Sequence, residues 1–171
     1  MKKLLLLIGL LNPINTNAFT LTVNPATNRD SVVINLNGEF DRDSYKQMYY
    51  LFSLLRGEKV TIVANSPGGL ANQLPDIMKL VHYNRVDWVV PKENSCNSAC
   101  AWAAIGAEHI TGRLGFHCVV DVENSTEANF KYEIENPDNA INSRIYNLLY
   151  SWQIPTDKRW FTKNITWVNF S

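Results

Sequence analysis

Charge of one sign, long apolar runs and cysteine are all scarce in this sequence, and each scarcity closes off a class of function. The 171 residues include 16 Lys or Arg and 16 Asp or Glu, so the formal net charge is zero. Neither sign is concentrated into a run or stripe, and nucleic acid is therefore not expected as a partner. Charged residues make up 19% and apolar residues 46%, the balance of a globular chain rather than a disordered one. Past the N-terminus no segment approaches the roughly 20 apolar residues that a bilayer-spanning helix needs, so no membrane span is expected once a leader is removed. No internal repeat, low-complexity tract or linker divides the chain. Its length suits one domain with a core better than two. The three cysteines, Cys96, Cys100 and Cys118, lack the paired Cys-x-x-Cys spacing of structural zinc, and no metal is expected.

What is present begins with a leader. Lys2 and Lys3 form a positive start, Leu4 to Leu11 is an apolar run, and Asn12-Pro13 breaks it. Thr16-Asn17-Ala18 offers small or polar residues for cleavage after Ala18, so residues 1–18 read as a signal peptide and 19–171 as the mature domain. Export to a bacterial periplasm, or secretion, is the expectation. An oxidising compartment would permit one disulfide among the three cysteines. Cys96–Cys100 would clip a loop before a helix, although a four-residue spacing inside regular helix suits a disulfide poorly. Cys100–Cys118 would tie two segments together. The sequence leaves both pairings open.

Hydrophobic periodicity then organises the chain. Phe19 to Val23 alternates as an edge strand does, and Ser31 to Leu36 predicts a second strand ending at Asn37-Gly38. Tyr45, Met48, Tyr49, Phe52 and Leu55 share one helical face within 41–55, closed by Gly57. Val60 to Ala64 has the continuous apolar character of a strand buried in a parallel sheet. A second helix is predicted over 70–81, with Pro75 in its first turn. A strand over 86–90, a small-residue helix over 99–106, a short strand over 107–110 and another over 113–120 follow. Residues 121–138 are polar and aperiodic, 139–152 are helical, and 156–161 suggest a short helix. Trp152, Trp160, Phe161, Trp167 and Phe170 are expected to cover an edge of the core. Strands alternating with helices predict an α/β fold.

Three segments bear on chemistry. Asn65-Ser66-Pro67-Gly68-Gly69 follows a strand, and a Gly-Gly corner leaves backbone N–H groups uncovered. Ser98 precedes the small-residue run Ala99-Cys100-Ala101-Trp102-Ala103-Ala104, where its plainer role is a helix cap. His117 follows Leu114-Gly115-Phe116, a place where a polar ring needs a partner. Of the other histidines, His82 reads as exposed at a helix end and His109 as solvated beside Glu108. A hydroxyl, an imidazole and free amides are the parts of an acyl-transfer site.

In this order the segments resemble the Clp-protease/crotonase superfamily. The likeness is to the ClpP-like serine peptidases, in the secreted bacterial branch whose nucleophile sits in Cys-x-Ser-Ala-Cys, here 96–100. The resemblance spans Val33 to His117. It implies a single-domain spiral of ββα units (19–171) and a serine peptidase without cofactor, acting on peptides or unfolded protein through an acyl-serine intermediate. Ser98 would be the nucleophile, His117 the base, and Gly68 or Gly69 with Ala99 the oxyanion donors. The carboxylate such enzymes place on a later helix has no clean match, and Asp157, Thr162 and Asn164 are the alternatives, with Asp121 and Glu123 nearer in sequence. Relatives form rings, so a homo-oligomer is allowed. A crotonase-like acyl-CoA enzyme and an inactive secreted binding module of the same fold are the rival readings.

Overall fold

Four strands, two of them rich in valine and isoleucine, build the parallel centre of one sheet. The structure is a computed structural model that describes residues 18–25, 31–119, 141–161 and 164–171. Its strands are β1 (Thr20–Pro25), β2 (Ser31–Asn37), β3 (Lys59–Asn65), β4 (Asp87–Val89), β5 (His109–Phe116) and β6 (Thr166–Phe170). They lie in the order β1-β2-β3-β4-β5-β6. The pairs from β2 to β5 are parallel, while β1 and β6 close the two edges in antiparallel fashion. Parallel neighbours need crossovers, and α1 (Ser44–Leu54), α2 (Leu74–Tyr83) and α3 (Ala99–Ala104) supply them in turn. A fourth helix, α4 (Ile141–Ser151), packs against α2, and a single 3-10 turn, Lys158–Phe161, precedes β6. The α/β architecture expected from the alternating pattern is therefore present.

Register decides which face is covered. Ile34, Ile62, Trp88 and Ile110 are aligned across four strands, and the first three are buried. Met48, Phe52, Leu74, Ile77, Met78 and Val81 from α1 and α2 join them in the core. By the right-handed rule for parallel crossovers, three connections between successively neighbouring strands place their helices on one side of a sheet. The row on the other side (Val33, Thr61, Val63, Val89) is only half-buried. That corrects the expectation for Val60 to Ala64: only its alternate residues Val60, Ile62 and Ala64 are fully enclosed.

Two further differences have local causes. The strands expected separately at 107–110 and 113–120 form the single β5, which ends at Phe116 and leaves His117 just beyond it. Gly112 allows this continuity, because at φ +113° it lies against the Val90 carbonyl, where a Cβ would approach to 2.2 Å. The polar stretch 121–138 lies outside the described residues. Among the aromatic residues, Trp160 and Phe161 are buried as expected, whereas Trp167 is exposed, with Arg113 over its ring at 4.1 Å. No helix among the described residues is long and apolar enough to cross a membrane.

Candidate active site

The serine is delivered by a strand that stops and restarts. After β4 the chain turns at Pro91, and Asn94 donates from Nδ2 to the Ala64 carbonyl (3.1 Å). Residues 95–97 then re-enter between the ends of β3 and β5. Ser66 N–H donates to Ser95 O (2.7 Å) and Asn97 N–H to Ser66 O (3.1 Å) on one side; Gly115 N–H donates to Cys96 O (2.9 Å) and Ser98 N–H to Gly115 O (2.8 Å) on the other. Ser98 is thus held on both flanks at the carboxyl end of the parallel strands. Its backbone lies at φ +53°, ψ −122°, a conformation that a non-glycine residue keeps only when its surroundings enforce it. A plain N-cap is excluded, since the Ser98 side chain makes no capping hydrogen bond.

The Gly-Gly corner touches this strained serine. A Cβ on Gly68 would stand 2.6 Å from Ser98 Cβ, 2.8 Å from Asn97 O and 3.2 Å from Ala99 N, so only glycine fits against the turn. The two glycines are not equivalent as donors. Gly68 N–H donates to the Oγ of buried Ser66 at 3.1 Å and is spent, whereas Gly69 N–H makes no hydrogen bond to a described residue. Ala99 occupies the first position of α3, where an N–H has no carbonyl within its own helix. Gly69 and Ala99 are therefore the amides left available, and Gly68 is the spacer between the corners.

Cys96 and Cys100 form the disulfide, with 5.1 Å between their Cα atoms. The objection to this pairing fails because Cys96 lies in the extended segment and only Cys100 is helical, α3 beginning at Ala99. The bond closes around Ser98. Cys118 is buried and lies outside the disulfide.

His117 is half-buried, two residues beyond the Gly115 carbonyl that binds Ser98. Trp102, one turn along α3 from Ser98, donates from Nε1 to the His117 carbonyl at 2.8 Å. Its ring packs against Phe116 (5.0 Å) and Phe161 (5.0 Å), while Phe116 stacks on Trp160 (4.6 Å). The backbone thus brings Ser98 and His117 to one end of the sheet, yet the hydroxyl and the ring share no hydrogen bond at rest. The ring Nδ1 instead meets Cys118 O at 2.8 Å. A carbonyl has no proton to give, so Nδ1 holds a proton, and in the neutral ring the lone pair is then on Nε2.

Of the sequence alternatives for the third triad member, Asp157 is engaged by another residue. Asp157 accepts from its own neighbour Arg159, through Oδ1 from the backbone N–H (2.8 Å) and through Oδ2 from Nε (2.8 Å) and Nη2 (2.5 Å). Those bonds hold its carboxyl below the ordinary range, and its nearest cation has claimed it. Asn164 is exposed, and Thr162, Asp121 and Glu123 lie outside the described residues. The residue missed from sequence is Asn142, which is 2% exposed at the start of α4 and bonds twice to the backbone just past His117. Its signal was a polar side chain on the face that Ile145 and Leu149 bury.

The other two histidines lie elsewhere. His82 is not exposed as expected: it stacks on Trp152 at 4.1 Å and its Nδ1 lies 3.3 Å from Gly106 O. His109, Asp87 and Glu108 place ligand-type atoms within 4.8 Å of one another at the opposite ends of the strands. Both carboxylates there already hold cations, Asp87 with Lys59 at 2.9 Å and Glu108 with Arg85.

No protein-family model matches this sequence, and no curated protein matches it. Solved structures that share part of its shape include DspI of Pseudomonas aeruginosa, at 12% identity and TM-score 0.45 over 57% of this chain and 49% of that one. They also include an enoyl-CoA hydratase from Bacillus anthracis, at 9% identity and TM-score 0.45 over 56% of this chain and 49% of that one. A methylmalonyl-CoA decarboxylase complexed with 2S-carboxypropyl-CoA is similar at 12% identity and TM-score 0.45, over 59% of this chain and 53% of that one. The chain spans about half the length of each. Likeness this partial carries no argument about chemistry.

Proposed function

We propose that the chain is an exported serine hydrolase acting on peptides, with Ser98 as nucleophile and His117 as general base and acid. The observation that supports this reading is the Ser98 backbone at φ +53°, a strained corner pressed against Gly68 and enclosed by the Cys96–Cys100 bond. Strain of this kind costs about 1–3 kcal/mol, and it concentrates where a side chain must be presented to a substrate. Ser98 Oγ would attack the carbonyl carbon as its proton passes to His117 Nε2. The Gly69 and Ala99 amides would receive the oxyanion, each good donor lowering the barrier by about 3 kcal/mol. The tetrahedral intermediate would expel the amine, which takes the proton from His117, and water would then release the acid from the acyl-serine by the same route. No group in this sequence of steps calls for a cofactor. Export rests on the leader at residues 1–18, and a peptide substrate on the resemblance to the ClpP-like peptidases.

A non-catalytic binding module is the second reading, favoured by the absence of a resting hydrogen bond between the hydroxyl and the ring. A fluorophosphonate probe separates the two. The hydrolase reading expects labelling of the wild type and none of Ser98→Ala, with a large loss in His117→Ala. Wild-type protein that resists the probe, or a Ser98→Ala variant that still reacts, would refute it.

A further inference from the structure

We infer that Asn142 is a positioning residue for His117, acting through the peptide unit that joins Cys118 to Val119. Three hydrogen bonds make the connection. His117 Nδ1–H donates to Cys118 O at 2.8 Å, Val119 N–H donates to Asn142 Oδ1 at 2.9 Å, and Asn142 Nδ2 donates to Val119 O at 2.9 Å. Cys118 C=O and Val119 N–H belong to one planar peptide group. The side chain that grips its N–H therefore fixes the carbonyl on its other edge, the one that holds the imidazole.

The chemistry runs in one direction only. Val119 offers a donor and an acceptor, so the Asn142 amide cannot flip without setting donor against donor and acceptor against acceptor. Asn142 is 2% exposed, so its own amide has little access to water. Accepting from Val119 N–H draws electron density toward Cys118 O, because hydrogen bonds in series polarise one another, by roughly 10–30% per bond. The carbonyl then keeps the proton on Nδ1 and the basic lone pair on Nε2. When Nε2 gains a proton, Nδ1–H becomes a charge-assisted donor and the same bond shortens and strengthens. This is the orienting task that a triad carboxylate performs, carried out with neutral groups.

The inference rests on the hydrolase reading for its consequence, though not for its test. The ring tautomer of His117 can be read by long-range 1H–15N correlation on 15N-labelled protein, with signals assigned through His117→Gln. Wild type is expected to show the Nδ1–H form. Asn142→Leu, similar in bulk but unable to bond to Val119, is expected to mix in the Nε2–H form. Its maximal rate of fluorophosphonate labelling should fall about 100-fold, the lower end of what general acid–base catalysis contributes, with the half-saturating probe concentration within about threefold. Asn142→Asp, which still accepts from Val119 N–H, is expected to keep the Nδ1–H form and label within about tenfold of wild type. A folded Asn142→Leu protein with the tautomer and maximal rate of wild type would overturn the inference, since a purely structural side chain changes neither. Where Asn142→Leu does not fold, wild type and Asn142→Asp decide: an Nε2–H ring in either overturns it, and Nδ1–H in both, with a slowly exchanging Val119 amide, supports it. Absence of labelling at Ser98 would sink the hydrolase reading while leaving the tautomer result to stand or fall alone.

Discussion

Replacing Gly68 by alanine tests whether the Gly-Gly corner presses on the serine. Two costs are expected. At φ +108° an alanine backbone is strained, which costs about 1–3 kcal/mol. The added Cβ would also stand 2.6 Å from Ser98 Cβ and 2.8 Å from Asn97 O, well inside contact distance. Forcing one extra carbon into packed surroundings costs a further 1–3 kcal/mol or so. Gly57 provides the control, because it has φ +88° but nothing within 4 Å of its would-be Cβ. Gly57→Ala should therefore incur only the backbone part. The difference between the two variants isolates the contact with Ser98, at about 2 kcal/mol. For a chain of this size that corresponds to roughly 4–8 °C of extra loss in Tm. Reversible thermal or urea unfolding of both variants measures it. On the hydrolase reading Gly68→Ala alone should also slow fluorophosphonate labelling, because the corner can relieve the clash only by moving Ser98. Equal stability losses in the two variants would refute the claim that the turn and the nucleophile segment are in enforced contact.

Three other outcomes follow from the same geometry. Ser98→Gly should be more stable than Ser98→Ala by about 1 kcal/mol in urea unfolding, because glycine tolerates φ +53° and alanine does not; equal stabilities would show that the corner is unstrained. Removing the Cys96–Cys100 bond as Cys96→Ala/Cys100→Ala should lower stability by about 2 kcal/mol, the chain-entropy value for a sequence separation of 4, and an unchanged urea midpoint would contradict it. The Arg85 guanidinium holds the Glu108 carboxyl below its ordinary range, so its contribution is present above the ordinary glutamate pKa and lost as pH falls through the lower folded value. Glu108→Gln should therefore flatten the acid limb of the Tm–pH curve, and parallel curves for Glu108→Gln and wild type would exclude the linkage.

The framework was legible because it depends on short-range pattern. Alternating Val60, Ile62 and Ala64 and the 3–4 spacing of Leu74, Ile77, Met78 and Val81 each specify one buried face, and Pro75 could only open its helix. The Ser-Pro-Gly-Gly turn was legible for a similar reason, since few arrangements other than a close approach need two glycines in succession. What escaped depends on where a segment lies in three dimensions. The 95–97 segment looked like loop because it pairs with Ser66 and Gly115, partners some 30 and 20 residues away, and this non-local pairing also makes the Cys96–Cys100 geometry possible. Asn142 escaped because a single amide on an apolar face could equally have been a helix cap. Only the folded position of Val119 shows which backbone groups it satisfies.

The distribution of charge sharpens the contrast between the two ends of the sheet. Lys59, Asp87 and His109 start β3, β4 and β5, and the Lys59–Asp87 and Arg85–Glu108 ion pairs lie at the amino ends of these strands. On the hydrolase reading, Ser98, His117, Asn142 and the amides of Gly69 and Ala99 at the carboxyl ends would work through hydroxyl, ring and amide dipoles. Burying an ionised carboxylate there would have carried a desolvation cost of several kcal/mol, whereas the Cys118–Val119 peptide is already hydrogen-bonded and in place. On the hydrolase reading this has a consequence for salt. Exposed ion pairs weaken over a screening length of about 8 Å at physiological ionic strength, but short dipolar contacts in a half-buried site do not. The labelling rate at Ser98 should therefore change little between low and high salt. A steep salt dependence would mean that a distant charge, and not the Cys118–Val119 peptide, governs the basicity of the ring.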